Sequence, residues 1–366
     1  MNAYDALTAE HRLDYEGLIR NLLRKGTPAR VHHMELFQDF EIRDAIAERF
    51  GLADGLDRDD PDFGDRRYIA VQRFCGFDYV RVGMDDLVMP LHKAAVADTA
   101  ALARNGGRNY QDEHTGPIMS WDDFERYPWP DPARPEMTRR LEWFERNLPD
   151  DMCIIGSGGL GHFDEYLTWL MGYETLCYAL FDQRDLVQAI ADKLLEIYRV
   201  CTERMLQFDR VRIIWASDDM GFKTGLMISP DDTRRFVLRG HKELAAMAHA
   251  AGRPYLLHAC GNLRDIIDDL IDDVKIDAKH SFEDTIEDVR QVKHTYGRRI
   301  ALIGGIDVDF LCRSGEQAIR RRVRDTLDVC MDGGGYCLGT GNSVANYIPL
   351  DNYLAMVDEG WRYSQT

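Results

Sequence analysis

The sequence predicts a TIM (β/α)8 barrel, an α/β fold in a single domain, on three observations. Eight short runs rich in β-branched and aromatic residues recur along the chain. From residue 160 onward the segments between them carry apolar residues at helical spacing. Strands alternating with helices give a parallel sheet, and eight such units argue for closure into a barrel. The third observation is negative. A doubly wound open sheet would place a glycine-rich phosphate turn after its first strand, and VHHMELFQDF (31–40) has none. At 366 residues the chain suits one barrel, although length alone also permits two smaller domains.

The elements follow in order. Residues 1–28 read as a helical extension. The first strand is ARVHHMEL (29–36), the second DYVRVGM (78–84). Residues 85–150 break the rhythm with seven prolines and the aromatic-rich SWDDFERYPWPDP. That stretch is too polar and proline-rich for core strands, so it reads as an irregular insertion covering one mouth of the barrel (29–366). The remaining strands are MCIIGSG (152–158), RIIWASDD (212–219), PYLLHAC (254–260), VKIDAKHS (274–281), IALIGGID (300–307) and GYCLGTGN (335–342). Among the helices, Ser229-Pro230 is an N-cap and first-turn pair. LRDIIDDLID puts Leu263, Ile266, Ile267, Leu270 and Ile271 on one face.

Composition narrows the function. A net charge of −18 repels phosphate backbones and anionic lipid, which excludes nucleic acid and membrane surfaces as partners. The eight cysteines are scattered through apolar runs without a CxxC pair, as in a reducing compartment. The N-terminus lacks an apolar signal segment and no 18-residue apolar stretch occurs, so a cytoplasmic protein is expected.

Catalytic side chains of a barrel collect at the C-terminal ends of its strands. The ends predicted here carry His33 and Glu35, Ser157 with GGLGHFDEY, Asp218-Asp219, His258 and Cys260, Lys279-His280, Asp307, and GTGNS. Residues i and i+2 of a strand share a face, roughly 7 Å apart. His258 and Cys260 can therefore hold one ion, and imidazole with thiolate suits Zn²⁺. The competing reading makes Cys260 a small buried hydrophobe and His258 a hydrogen-bonded core residue. A catalytic zinc needs a third protein ligand. Cys337 is one candidate, with Asp219, Glu165, His162 and His280 as others. One of Asp218 and Asp219 should face inward, for proton transfer, substrate contact or orientation of His258. His280 joins them as a catalytic candidate. His33, Glu35, His162, Glu165, Asp307 and Asn342 are candidate substrate contacts.

Several stretches resemble the uroporphyrinogen decarboxylase superfamily: SWDDFERYPWPDP, SDDMGFKTGLMISPDDTRRFV, the HACGNL strand end, IALIGGIDVDFL, and GGGYCLGTGNSVANYIPLDNYLAMV. The resemblance runs from about residue 28 and implies a barrel with its site at the C-terminal mouth. It implies one of two chemistries, cofactor-free decarboxylation or zinc-dependent methyl transfer to or from a corrinoid. Decarboxylases of the family resemble one another in an R-Q-A-G-R-Y stretch after the first strand. Here MELFQDFEI stands there, with no arginine before Arg43, and the strand ends are rich in Asp and Glu. The corrinoid-dependent methyltransferase branch is similar at H-x-C, here His258-Ala259-Cys260. Those enzymes complete the site with a cysteine after the last strand, where this chain has TGNS and, several residues earlier, Cys337. Without a D-x-H-x-x-G pattern, the corrinoid is expected on a separate small protein. The resemblance thus implies a zinc-dependent methyltransferase acting on a methoxy or thiol compound. The alternatives are a metal-free decarboxylase-like lyase and a non-catalytic corrinoid or tetrapyrrole carrier. Exposed apolar helix faces of a barrel suggest a homodimer.

Overall fold

In the computed structural model, residues 4–104, 106–112 and 114–365 are described. The strands in chain order are β1 (Tyr79–Val82), β2 (Lys93–Val96), β3 (Arg108–Gln111), β4 (Cys153–Gly156), β5 (Val211–Ser217), β6 (Gly221–Phe222), β7 (Gly225–Leu226), β8 (Tyr255–His258), β9 (Ala278–His280), β10 (Ala301–Ile303) and β11 (Tyr336–Cys337). Seven form one sheet in the order β1-β4-β5-β8-β9-β10-β11, and every pairing in it is parallel. These are the apolar runs of the sequence, with helices between, so the α/β reading holds. β2-β3 and β6-β7 are separate antiparallel pairs. The first pair, with the helix Trp121–Arg126, lies within the proline-rich stretch 85–150.

The expected first strand, residues 29–36, forms no continuous ladder. It pairs with the last strand region through one parallel bridge, His33 to Leu338. Its other side meets β1 through side chains. The buried Asp78 carboxylate accepts from His32 Nδ1 at 2.8 Å and pairs with Arg30, and the Tyr79 hydroxyl accepts from Glu35 N at 2.8 Å. Segment 30–35 thus touches both edges of the sheet, which must curl for this to happen. Polar side chains do at this seam what backbone pairing does elsewhere, so sequence runs alone overstate its regularity.

The helices cover the sheet with apolar stripes. Arg184–Met205 buries Leu186, Ile190, Leu194, Ile197, Cys201 and Met205, spaced by three or four residues. Ser229 caps its helix as expected, accepting from Asp232 N with Pro230 in the first turn. Register matters most at one end of the sheet. Ser217 on β5 faces His258 on β8, and His258 faces His280 on β9. Three neighbouring strands therefore end in line. Gly261 follows at φ +92°, where a Cβ would lie 2.1 Å from the Gly221 carbonyl oxygen. Only glycine lets the chain turn this tightly after Cys260.

Candidate metal centre

At the ends of these strands one ligand atom each from Asp219, His258 and Cys260 lies within 4.8 Å of the others. His258 Nε2 is 3.3 Å from Cys260 Sγ and 3.4 Å from an Asp219 carboxylate oxygen. Tetrahedral zinc with bonds of ~2.0–2.3 Å places its ligand atoms about 3.3–3.8 Å apart. The two separations from His258 fit such an ion, and the third lies within 4.8 Å. Asp219 faces this point because its neighbour on the strand faces away.

The ring of His258 is held for the task. Its Nδ1 lies 2.7 Å from Nδ1 of His280, whose Nε2 is 3.1 Å from the carbonyl oxygen of Thr340. A carbonyl can only accept, so His280 carries its proton on Nε2 and accepts at Nδ1. His258 must then donate from Nδ1, which leaves the Nε2 lone pair aimed at Cys260 and Asp219. Burial, and then the adjacent His258, push His280 well below the usual histidine range, which keeps it neutral for this role. His280 is therefore engaged on both ring nitrogens and does not line the cavity that Asp219 and His258 face, a correction to its expected catalytic part. Replacing it with phenylalanine keeps a ring but removes the acceptor. Zinc affinity is then expected to fall about 10–100-fold, measured by competition with a chelator.

Burial pushes Asp219 up, but without a metal a protonated His258, together with Cys260, overrides it and the carboxylate is held down at about 2. It also accepts from Cys260 N at 3.2 Å. Burial and the nearby Asp219 push the Cys260 thiol up. Its sulfur is approached by Asn342 Nδ2 at 3.2 Å, a donor suited to a thiolate.

The other expected residues divide. Glu35, His162, Glu165 and Asn342 line one cavity of about 750 Å³ together with Asp219 and His258. His162 pairs with Glu165, whose carboxylate outweighs burial and raises the imidazole. Four expectations are corrected. Cys337 lies buried with its sulfur 3.4 Å from Asn21 Nδ2 of the N-terminal helix, so the strand turns it away from the centre. Asp218 is fully buried and accepts from Asp164 N, Glu165 N and His241 Nε2. Asp307 caps a helix, accepting from Phe310 N at 2.8 Å and from Asp284 N at 3.0 Å. His33 does not share a face with Glu35. It packs 5.2 Å from the Trp361 ring, where neither ring nitrogen finds a partner among the described residues. Alternation fails there because 29–36 is not a regular strand.

Glu35 sits deep in the cavity and accepts from Thr340 N and Oγ1. Burial outweighs these bonds and raises it from the ordinary 4.5 to about 8. Between those values the folded chain holds a proton that the unfolded chain has lost. Stability contributed by this group is present at low pH and lost as pH rises through that window. Glu35→Gln is expected to remove this slope, read as the melting temperature against pH from 5 to 8.

Sequence reasoning missed the arginines. Arg43, Arg67, Arg81 and Arg140 line the same cavity, so the argument from acidic strand ends against a carboxylated substrate does not hold inside it. Arg81 interrupts the apolar run DYVRVGM, and a charged residue within a buried strand was the available signal.

The profile of the uroporphyrinogen decarboxylase (URO-D) family matches residues 79–363. The chain belongs to this family. Among solved structures, a methyltransferase from Methanosarcina mazei superposes with a TM-score of 0.68 at 18% identity, covering 95% of this chain and 98% of that one. At that identity the likeness is one of fold. A putative vitamin-B12-independent methionine synthase from Listeria monocytogenes gives a TM-score of 0.46 at 12% identity, over 92% of this chain and 96% of that one. No curated protein matches. No helix among the described residues is long and apolar enough to cross a membrane.

Proposed function

We propose that this member of the family is a zinc-dependent methyltransferase, moving a methyl group between a small thiol or methoxy compound and a corrinoid carried on a partner protein. One observation carries the reading: nitrogen, sulfur and oxygen donors converge, with a histidine tautomer fixed so that its free lone pair faces the other two. A metal held there supplies Lewis acidity, lowering the pKa of a thiol or polarising a methoxy oxygen. The protein residues do the rest. His280 and Thr340 fix His258, Asn342 supports the Cys260 sulfur, and Asp219 completes the donor set. Three protein ligands leave a fourth position for substrate. Glu35, His162 and Glu165 offer hydrogen bonds along the cavity. The seven-stranded curled sheet is read as a closed eight-unit barrel. Residues 1–28 are its extension and 85–150 its insertion. The protein is placed in the cytoplasm, with a homodimer as its assembly.

The test is elemental analysis of protein purified without added metal, followed by a search for methyl exchange between methylcobalamin and thiols. About one zinc per chain and exchange with a thiol support the proposal. A metal-free protein that exchanges no methyl group rejects it. The arginines of the cavity favour a second reading, a metal-free lyase acting on a carboxylated substrate. Carbon dioxide release without zinc would select that reading.

A further inference from the structure

Glu35 is 3% exposed and lines the cavity that Asp219 and His258 face. The titratable side chains that feel its charge are Cys75, Tyr79, Tyr336 and Tyr353, from four different elements. Burial pushes all four up, so all are neutral at neutral pH. No lysine, arginine or histidine forms an ion pair with Glu35 among the described residues. Nothing there holds the group ionised, and a carboxyl buried in such surroundings keeps its proton.

The surroundings suit both of its protonation states. The ionised carboxylate accepts from Thr340 N at 3.1 Å and from Thr340 Oγ1 at 2.5 Å. The carbonyl oxygen of Asn342 lies 2.5 Å from the same Oγ1. A hydroxyl has one hydrogen to give. When Glu35 is protonated, the hydroxyl turns to Asn342 and accepts from the acid instead. Gly339 leaves room for this: a Cβ there would collide with the Met34 carbonyl oxygen and sit 3.3 Å from Glu35 Cδ. Thr340 O also accepts from His280 Nε2, and Asn342 Nδ2 approaches the Cys260 sulfur. The turn 339–342 therefore carries the acid and the supports of two metal-ligand candidates together.

Resting on the methyl-transfer reading, we propose that Glu35 is the proton donor of the reaction, handing its proton to the substrate oxygen or sulfur as the methyl group leaves. The C–O or C–S bond breaks and its electron pair stays on the heteroatom. A reduced corrinoid, the second substrate, supplies the electron pair of the new cobalt–carbon bond and is formally oxidised by two electrons. The proton passes from Glu35 to the heteroatom and releases a neutral alcohol or thiol. The Thr340 hydroxyl then swings back to hold the carboxylate. In the opposite direction the same carboxylate takes the proton of the arriving thiol. An acid that titrates near the operating pH serves both directions.

The experiment follows methyl transfer from para-substituted methyl phenyl ethers and thioethers to cob(I)alamin, with zinc-loaded wild type and Glu35→Gln. Glutamine keeps the shape and the bond from Thr340 N but has no proton to give. The variant is expected to lose about 10²–10³-fold for the leaving group of highest pKa, and progressively less as that pKa falls. A residue that only packs would cost the same factor for every leaving group, and that result overturns the proposal. An infrared difference spectrum, wild type minus Glu35→Gln, is taken on protein stripped of metal in slightly acidic buffer. It should show the carbonyl stretch of a protonated carboxyl, and its absence overturns the proposal whatever the activity.

Thr340→Val is the second variant if Glu35→Gln does not fold. It removes the hydroxyl that steadies the carboxylate, so the carboxyl band is expected to persist to higher pH than in the wild type. A band that titrates as before overturns the proposal. Transfer by the wild type with a uniform loss in Glu35→Gln sinks the proton donor alone. No transfer by the wild type with any ether, thioether or thiol sinks the methyl-transfer reading itself, so the two failures are distinct.

Discussion

Protein carrying His258→Ala and Cys260→Ala together is expected to purify with no zinc, where about one ion per chain is expected for the wild type. Two of three donors go at once, and Asp219 alone cannot hold the ion against ordinary chelators. Methyl exchange should fall by about 10³-fold or more, because the Lewis acid is worth several kcal/mol of activation. The fold should survive. Cys260 lies beyond the last residue of β8, and its sulfur contacts only the side chains of the site itself, among them Asn342, Ser281 and Asp219. His258→Ala leaves His280 without its partner, so a modest drop in melting temperature is expected. Cobalt offers an independent readout. Wild-type protein loaded with Co²⁺ should show the absorption of a sulfur-to-metal charge transfer, and Cys260→Ser should bind less cobalt and lack that band. Undiminished metal in the double variant would remove the centre from these residues altogether.

The H-x-C pair was legible because its two residues sit on neighbouring tips of one apolar run, where the sequence alone marks both the strand and its end. The third donor was not fixed by the same reasoning. Asp219 stood as one of several candidates, because a strand's alternation says that one of two adjacent aspartates faces inward without saying which. What the sequence could not supply was contact across the fold. His280 looked like a strand-end residue free to meet substrate, but its ring is engaged on both nitrogens by His258 and by Thr340, a residue 60 positions away. Cys337 looked close enough to the last strand end, and only the packing of the N-terminal helix against β11 explains where its sulfur goes. Asp307 was readable in principle. An aspartate three residues before Phe310, at the start of VDFLCR, is a helix N-cap pattern, and it was passed over in favour of its strand-end position. The strand reading departed from the structure most at residues 29–36, a β-branched run that suggested a regular strand. Asp78 and Tyr79 hold that segment by side chains, and side-chain pairing leaves no period in the sequence.

Asp218 and Asp219 give the sharpest contrast, because adjacent carboxylates are assigned opposite work. Asp218→Ala is expected to destabilise the protein by about 3 kcal/mol while leaving zinc in place. Its carboxylate is fully buried and accepts at 3.0 Å from the backbone N–H groups of Asp164 and Glu165. These open the helix Phe163–Met171 and have no partner within the helix itself. His241 Nε2 adds a third bond at 3.1 Å. Burial and the nearby Glu165 push Asp218 well up, against the pull of the two N–H groups. Alanine leaves three donors buried and unsatisfied at once, and each such group costs about 1–3 kcal/mol, partly relieved by local shifts. The melting temperature should drop by something on the order of 5 °C. The helix end also carries His162 and Glu165 into the cavity, so methyl transfer should weaken through a higher KM more than through kcat. Asp219→Ala reverses the pattern. Its side chain is 40% exposed and closes no helix, so stability should change little while zinc affinity falls steeply. If Asp218→Ala were to lose the metal with an unchanged melting temperature, the two aspartates would have to exchange roles, and the orientation of β5 at the centre would be wrong.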